Sequence, residues 1–350
     1  MFVLQPSPRS VARAMPLACA VLALGFALSD SARGEIVTLG GDYGYEDFVA
    51  RDLAPGTMVD ARVAVFRVAN SKNSSPASSA DCENGPLPDN RYPLRIYDSP
   101  AAILLGGQFD GEVPQDSDWE YTYCNSTAVG IWDSPNTIVE GVRARRVWDA
   151  VRFARQSQLF RLDEVWFTQT RDDCVENDNL HSGLITDVLL DGCFVGISAR
   201  PPRDSAEARS DETITLAGVL LRLQPYLYRG KVRHGSPLKV DQKSPAFQIY
   251  DSVFAITGAE LVSKTQLTIG WEKISHCRNN VLLWVSDVPW PGEHMEPPSC
   301  FRIVQGEQAR SLWARARQNW IDCHFSFVRF RDDPVSNALE CDTAFYGGQY

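Results

Sequence analysis

No two cysteines of this 350-residue chain stand in a C-x-x-C arrangement. That removes the common structural zinc site and the dithiol redox centre. A glycine-rich phosphate loop and a G-x-S-x-G nucleophile turn are equally absent. Histidine is scarce, with five in all, and His234, His276, His294 and His324 are scattered without metal-ligand spacing. Beyond Leu28 no apolar run approaches the roughly 20 residues of a bilayer crossing. Positive charge is the minority sign: 34 Lys and Arg face 44 Asp and Glu, for a formal net charge of −10. An acidic surface of this kind does not gather nucleic acid through its overall field.

What is present begins with a leader. Arg9 and Arg13 precede the apolar run from Met15 to Leu28, and Ala32-Arg33-Gly34 follows as a small-residue cleavage pattern. This order of charge, apolar core and cleavage site is that of a secretory signal peptide over 1–34. The expected mature protein starts near Glu35 and is secreted or periplasmic, without a membrane span and as a monomer. Of nine cysteines, Cys19 leaves with the leader. The remaining even number favours disulfides in an oxidising compartment. Cys277 with Cys300 and Cys323 with Cys341 are plausible local pairs. Cys174 and Cys193 lie on apolar segments and fit buried free thiols equally well.

The middle of the chain repeats. "IVEGVRA", "RLDEVWF", "LITDVLL", "LAGVLLR", "IYDSVFA" and "RNNVLLW" each carry an apolar entry, a polar or glycine corner and an alternating apolar strand. Aligned on Val142, Val165, Val188, Val219, Val253 and Val281, they recur at 23, 23, 31, 34 and 28 residues. Short strands at period two with polar corners are β-structure. A recurrence near 23 is too short for a propeller blade of about 40 to 45 residues. It suits a parallel β-helix, whose coils stack strand on strand. Gly, Asn and Asp fit its corners because they tolerate left-handed backbone.

With "ILLGGQFDG" (103–111) as an early coil, the segment from Ala101 to Trp284 resembles the right-handed parallel β-helix superfamily of pectate-lyase-like proteins. It is similar to secreted β-helix proteins carrying "DDCVEN" and "SGLI". The resemblance implies an all-β, single-stranded right-handed parallel β-helix with an N-terminal cap and a C-terminal helix. The expected boundaries are a cap and loop-rich region over 35–100, the β-helix over 101–305 and a capping segment over 306–350. Within the last, "EQARSLWARARQNW" (307–320) has helical spacing and is expected to cover the end of the coil. Residues 70–92 read as a surface loop, and 198–212 and 225–245 as insertions that lengthen two coils.

The chemistry concentrates in "RDDCVENDNLHSG" (171–183). Asp173 occupies the place held by Asp149 one coil earlier, and neighbouring coils lie about 4.8 Å apart. Asp172, Glu176 and Asp178 add carboxylates. Like charges so close raise at least one pKa, which is a route to a general acid at neutral pH. His181 could carry protons. The triplet Asp172-Asp173-Cys174 resembles that of polygalacturonases, which implies that Asp172 and Asp173 are catalytic, with Asp149, Glu176 and His181 assisting. The chain departs from that family at Asn136-Thr137-Ile138 and at His181-Ser182-Gly183, and it has no Arg-Ile-Lys triplet.

Three readings of the stretch stay open. Its carboxylates cap turns, or they form a carbohydrate-active site, or Asp172, Asp173 and Asp178 hold a calcium ion, the one cofactor such oxygens suit. In related lyases calcium neutralises uronate carboxylates with Arg or Lys as base, which brings in Arg152, Arg171 and Arg200. Trp148 is a candidate sugar platform. The expected partner is a polysaccharide, met by a lyase or hydrolase of an acidic or decorated glycan, or by a non-catalytic glycan-binding module of the cell envelope. Six arginines between Arg143 and Arg161 read as a solvated face or as an anion groove.

Overall fold

In the computed structural model, residues 34–68, 92–122, 127–201, 205–292 and 295–325 are described. The expected signal peptide up to Arg33, nearly all of the expected loop 70–92, and Cys82, Cys124 and Cys341 lie outside them. Three parallel ladders organise the described residues. The first joins Ile36–Gly44, Met58–Val68, Ile103–Leu105, Ile138–Glu140, Phe160–Asp163, Gly183–Thr186, Thr213–Ala217, Ala246–Tyr250 and Ile274–Arg278. The second joins Gln108–Gly111, Arg143–Arg145, the first halves of Trp166–Glu176 and Leu189–Ser198, then Leu220–Leu223, Val253–Thr257, Asn280–Val285 and Phe301–Gln305. The third joins Phe48–Arg51, Leu94–Tyr97, Thr127–Trp132, Asp149–Ala154, the second halves of the two long strands, and Leu238–Lys239. The sheet winds about 315° round its axis, so the architecture is a parallel β-helix.

The stack starts earlier than the boundary expected at 101. The segment read as an N-terminal cap supplies the first two coils, since Met58–Val68 pairs with both Ile36–Gly44 and Ile103–Leu105. Inside, one column runs Val59, Leu104, Val139, Leu162, Ile185, Leu216 and Ile249, all without exposed surface. Each such side chain contributes about 1.5–3 kcal/mol by leaving water. Cys277 continues the column and bonds to Cys300, as its sequence position suggests. Cys174 and Cys193 are joined in a disulfide too, and the free-thiol alternative falls away. This bond ties two consecutive coils. Replacing both cysteines by alanine should cost about 3 kcal/mol, the loop-closure value for a ring of this size, read as a lower midpoint in guanidinium.

The corners explain the repeat. Gly141, Glu164, Asp187, Gly218, Asp251 and Asn279 stack with φ of 66°, 49°, 50°, 66°, 51° and 55°. The residues that follow them are Val142, Val165, Val188 and Val219, and then Ser252 and Asn280. The alignment on Val253 and Val281 is therefore one residue out of register, because Val253 pairs with Leu220 and Val281 with Val253. A slip of one turns a side chain to the other face. At the two late corners polar groups replace valine and satisfy the backbone: Ser252 Oγ accepts from Val219 N–H at 3.1 Å, and Asn280 Oδ1 from Ser252 N–H at 3.0 Å.

The helix expected over 307–320 spans Gly306–Phe325. It does not close the end of the coil. Twenty residues reach about 30 Å, and the helix runs back along the outside of the second ladder. Ala309, Leu312, Trp313 and Trp320 bury against Leu189, Leu220, Val253 and Val281. That is why this outward column is apolar. The third face beyond Leu238–Lys239 is closed by the helix Lys264–Glu272, capped by Ser263 and burying Leu267 and Trp271. No described helix is long and apolar enough to cross a membrane.

Candidate functional site

Two columns at the third ladder build the site. Thr127, Asp149 and Asp173 stack in register, and Arg152, Glu176, Ser198 and Lys239 stack beside them. The correspondence of Asp149 with Asp173 is the one expected from the repeat. Asp149 Oδ1 accepts the backbone N–H of Asp173 at 2.9 Å, and its Oδ2 accepts from Thr127 Oγ1 at 3.4 Å. Lys239 Nζ lies 2.6 Å from Asp173 Oδ2, and Arg152 Nε 3.4 Å from Glu176 Oε2. Ser198 Oγ donates to Asp178 Oδ1 at 3.3 Å. Carboxylate oxygens of Asp149, Asp172 and Asp173 lie within 4.8 Å of one another.

Burial and mutual repulsion set the protonation. Asp149 is buried, and that burial, reinforced by Glu176 and Asp172, holds its carboxyl far above the usual range. Asp172 stays partly exposed and is pushed up to about 8, by burial first and then by Asp173, while Lys239 and a hydrogen bond from Trp119 pull the other way. Asp178 is raised to about 6 by burial and Glu176. Burial also raises Asp173, against the attraction of Lys239. Burial opposes the Lys239 ammonium, but Asp173, Asp172 and Asp178 outweigh it and its pKa rises. Arg152 is likewise held charged by Glu176.

An aromatic wall stands beside the carboxylates. The short helix Trp119–Thr122 meets the hairpin of Tyr226–Tyr228 and Lys231–Arg233. Trp119 packs 5.3 Å from Trp148 and 5.1 Å from Tyr228, which stacks on Phe194 at 5.3 Å. Asp118 accepts the backbone N–H groups of Arg229 and Gly230, which fastens the hairpin to the helix. Beneath them Arg171 has no exposed surface. Its Nη2 donates to the carbonyls of Ser117 and Leu227, and its guanidinium lies 5.0 Å from the Tyr226 ring. Arg171 therefore supports the wall and is out of a substrate's reach, a correction to its expected binding role. Arg200 is exposed past the end of Leu189–Ser198 and shares none of the contacts described among these carboxylates.

No protein-family model matches the chain, and no curated protein and no solved structure does either.

His181 serves the scaffold. A relay of corner side chains runs up the helix: Leu53 N–H donates to Ser99 Oγ, Ser99 N–H to Ser134 Oγ, Ser134 N–H to Ser157 Oγ and Ser157 N–H to His181 Nε2, at 3.1, 3.0, 3.2 and 3.3 Å. Asn177 brackets the His181 backbone on both sides. Burial lowers the imidazole to about 4, and the charged group that bears on it is Arg209. It is neutral at physiological pH and accepts a hydrogen bond. His181→Ser keeps an acceptor of the type used one coil below. Its expected cost is about 1 kcal/mol, against about 1–3 for His181→Ala, which orphans the Ser157 amide. Denaturant midpoints measure both, and turnover by the folded fraction should stay unchanged.

The set Asp172, Asp173 and Asp178 does not suit calcium. Calcium takes six to eight oxygens at about 2.3–2.6 Å, whereas Asp173 already faces the Lys239 ammonium and Asp178 faces Ser198. The arginine-rich segment is a paired face: Arg145 and Arg146 bind Asp110, Arg155 binds Asp133 and Arg161 binds Asp163. Lys239, Thr127 and Trp119 were missed in the sequence because no local pattern marks them. The one trace is "PLKV" (237–240), a strand-like alternation inside a loop.

Proposed function

We propose that this is an exported monomeric enzyme that hydrolyses a polysaccharide at the third face of the β-helix. The observation that carries the reading is Asp172, a partly exposed carboxyl whose pKa of about 8 keeps it protonated at neutral pH beside the buried Asp149–Asp173 pair. Asp172 donates its proton to the glycosidic oxygen as the bond to the anomeric carbon breaks. The water that adds to that carbon releases its proton to solvent, and Asp173, buried and paired with Lys239, supplies the neighbouring charge that helps keep the proton on Asp172. Asp149 and Thr127 orient Asp173 through its backbone. Trp119 and Tyr228 offer sugar-stacking surface, with Trp148 packed against Trp119.

Elimination finds less support, because Arg152 and Lys239 are held protonated by their acid partners and Arg171 is inaccessible. The purified mature chain, incubated with uronate-containing and neutral polysaccharides, should release reducing ends without the ultraviolet absorbance of an unsaturated product. Absorbance rising with the reducing ends would make it a lyase. Binding without release would leave a glycan-binding module. The disulfides of Cys174 with Cys193 and Cys277 with Cys300 accord with export to an oxidising compartment.

A further inference from the structure

Away from the third face, three elements bring metal-ligating groups together. Glu164 and Asp187 are the corner residues of consecutive coils, both at left-handed φ, and the backbone N–H of Glu164 donates to Thr186 just before Asp187. The corners on either side of them are glycines, Gly141 and Gly218, so these two carboxylates stand without side-chain neighbours in their own column. The last turn of the helix Gly306–Phe325 brings His324 over them. One oxygen of each carboxylate and an imidazole nitrogen lie within 4.8 Å of one another.

One hydrogen bond of the histidine places a proton on Nδ1. Nδ1 lies 2.8 Å from the carbonyl of Trp320, which can only accept, so Nδ1 carries a proton. Nε2 lies 3.0 Å from Asp187 Oδ2. That contact is held either by a second ring proton, as an ion pair, or by a cation between the two atoms. Trp320 also donates its indole N–H to the other oxygen of Asp187 at 2.9 Å and stacks on the His324 ring at 4.2 Å. A backbone carbonyl on the far nitrogen of a histidine and a donor on the far oxygen of a carboxylate are the outer contacts that orient metal ligands.

We infer that Glu164, Asp187 and His324 bind one divalent first-row transition ion, of the zinc class, which fastens the C-terminal helix to the two corners. One imidazole and two carboxylates make an open three-ligand set for such an ion, with water completing the shell. A proton on Nε2 would satisfy Asp187 alone, whereas a divalent ion also engages Glu164. The partly exposed position of the group allows the ion to enter from solvent.

The test uses the full mature chain, stripped of metal and titrated with Zn²⁺ by calorimetry and thermal melting, with Co²⁺ absorption as a report on coordination and Ca²⁺ as a control. One ion should bind per chain, and at about a hundredfold excess over the dissociation constant the melting temperature should rise by about 5 °C. Glu164→Gln, at an exposed corner that needs no refolding, should weaken binding about tenfold or more while leaving the metal-free melting temperature in place. His324→Gln should abolish it. Absence of Zn²⁺ binding would overturn the inference and leave a proton-held ion pair. Unchanged binding in both variants, or an equal response to Ca²⁺, would overturn it as well.

Discussion

Asp172→Asn should fold normally and hydrolyse the substrate about 10²–10⁴ times more slowly, the range of general acid catalysis. The amide keeps the shape of the carboxyl and its place beside Trp119, but it has no proton to give. In the parent protein the rate should hold through neutral pH and fall above about 8, where Asp172 ionises. Stability should follow the same group with a defined sign. Between the ordinary carboxylate pKa and about 8, the folded chain holds a proton at Asp172 that the unfolded chain has lost. Stability therefore declines as pH rises through that window. Asp172→Asn removes this contribution and should flatten the decline. Reducing-end rates and guanidinium midpoints, both measured from acid to alkaline pH, check the two halves. A variant that keeps its rate would sink the assignment of Asp172 as acid.

Lys239→Met should be the most destabilising single change at the site, costing about 3–5 kcal/mol at neutral pH. Removing one partner of a buried ion pair leaves the other uncompensated, and Asp173 is only 2% exposed. The methionine fills most of the volume, so the loss is electrostatic. It should shrink in acid, where Asp173 takes up a proton and no longer needs the ammonium. The raised pKa of Lys239 means that its own charge persists across the accessible alkaline range and adds no transition there. Lys239→Met combined with Asp173→Asn should recover most of the stability, and the cycle of four proteins isolates the pair's coupling. Equal costs at low and neutral pH would mean that packing, rather than charge, is what Lys239 supplies.

Both predictions join a residue that the sequence marks to one that it hides. Asp172, Asp173 and Asp149 are legible because the repeat itself aligns them: strand pairing one coil apart turns a spacing of 24 residues into a carboxylate contact. Lys239 is 66 residues from Asp173. An insertion of irregular length separates the two, and a loop of unknown path fixes no register. Arg171 and His181 show the converse. Their types and their nearness to the acids suggest chemistry, yet one is sealed beneath the aromatic wall and the other completes a relay of serines. Burial is a property of the assembled coil, and no window of sequence contains it.

By itself the sequence determined the class of fold and its corners. Period-two apolar strands joined by residues that accept left-handed backbone leave few alternatives to stacked coils, and these are short-range properties. The valine register held for four corners and slipped at Ser252 and Asn280, because there a hydrogen bond to the backbone replaces an apolar contact. Tertiary structure alone decided where the C-terminal helix lies. Its apolar stripe fits any apolar partner, and only the stacked coils show that Leu189, Leu220, Val253 and Val281 form an outward column for it. It decided the protonation of the cluster as well, since a carboxyl's pKa depends on the charges and the water around it, and those are set by contacts between residues far apart in the chain.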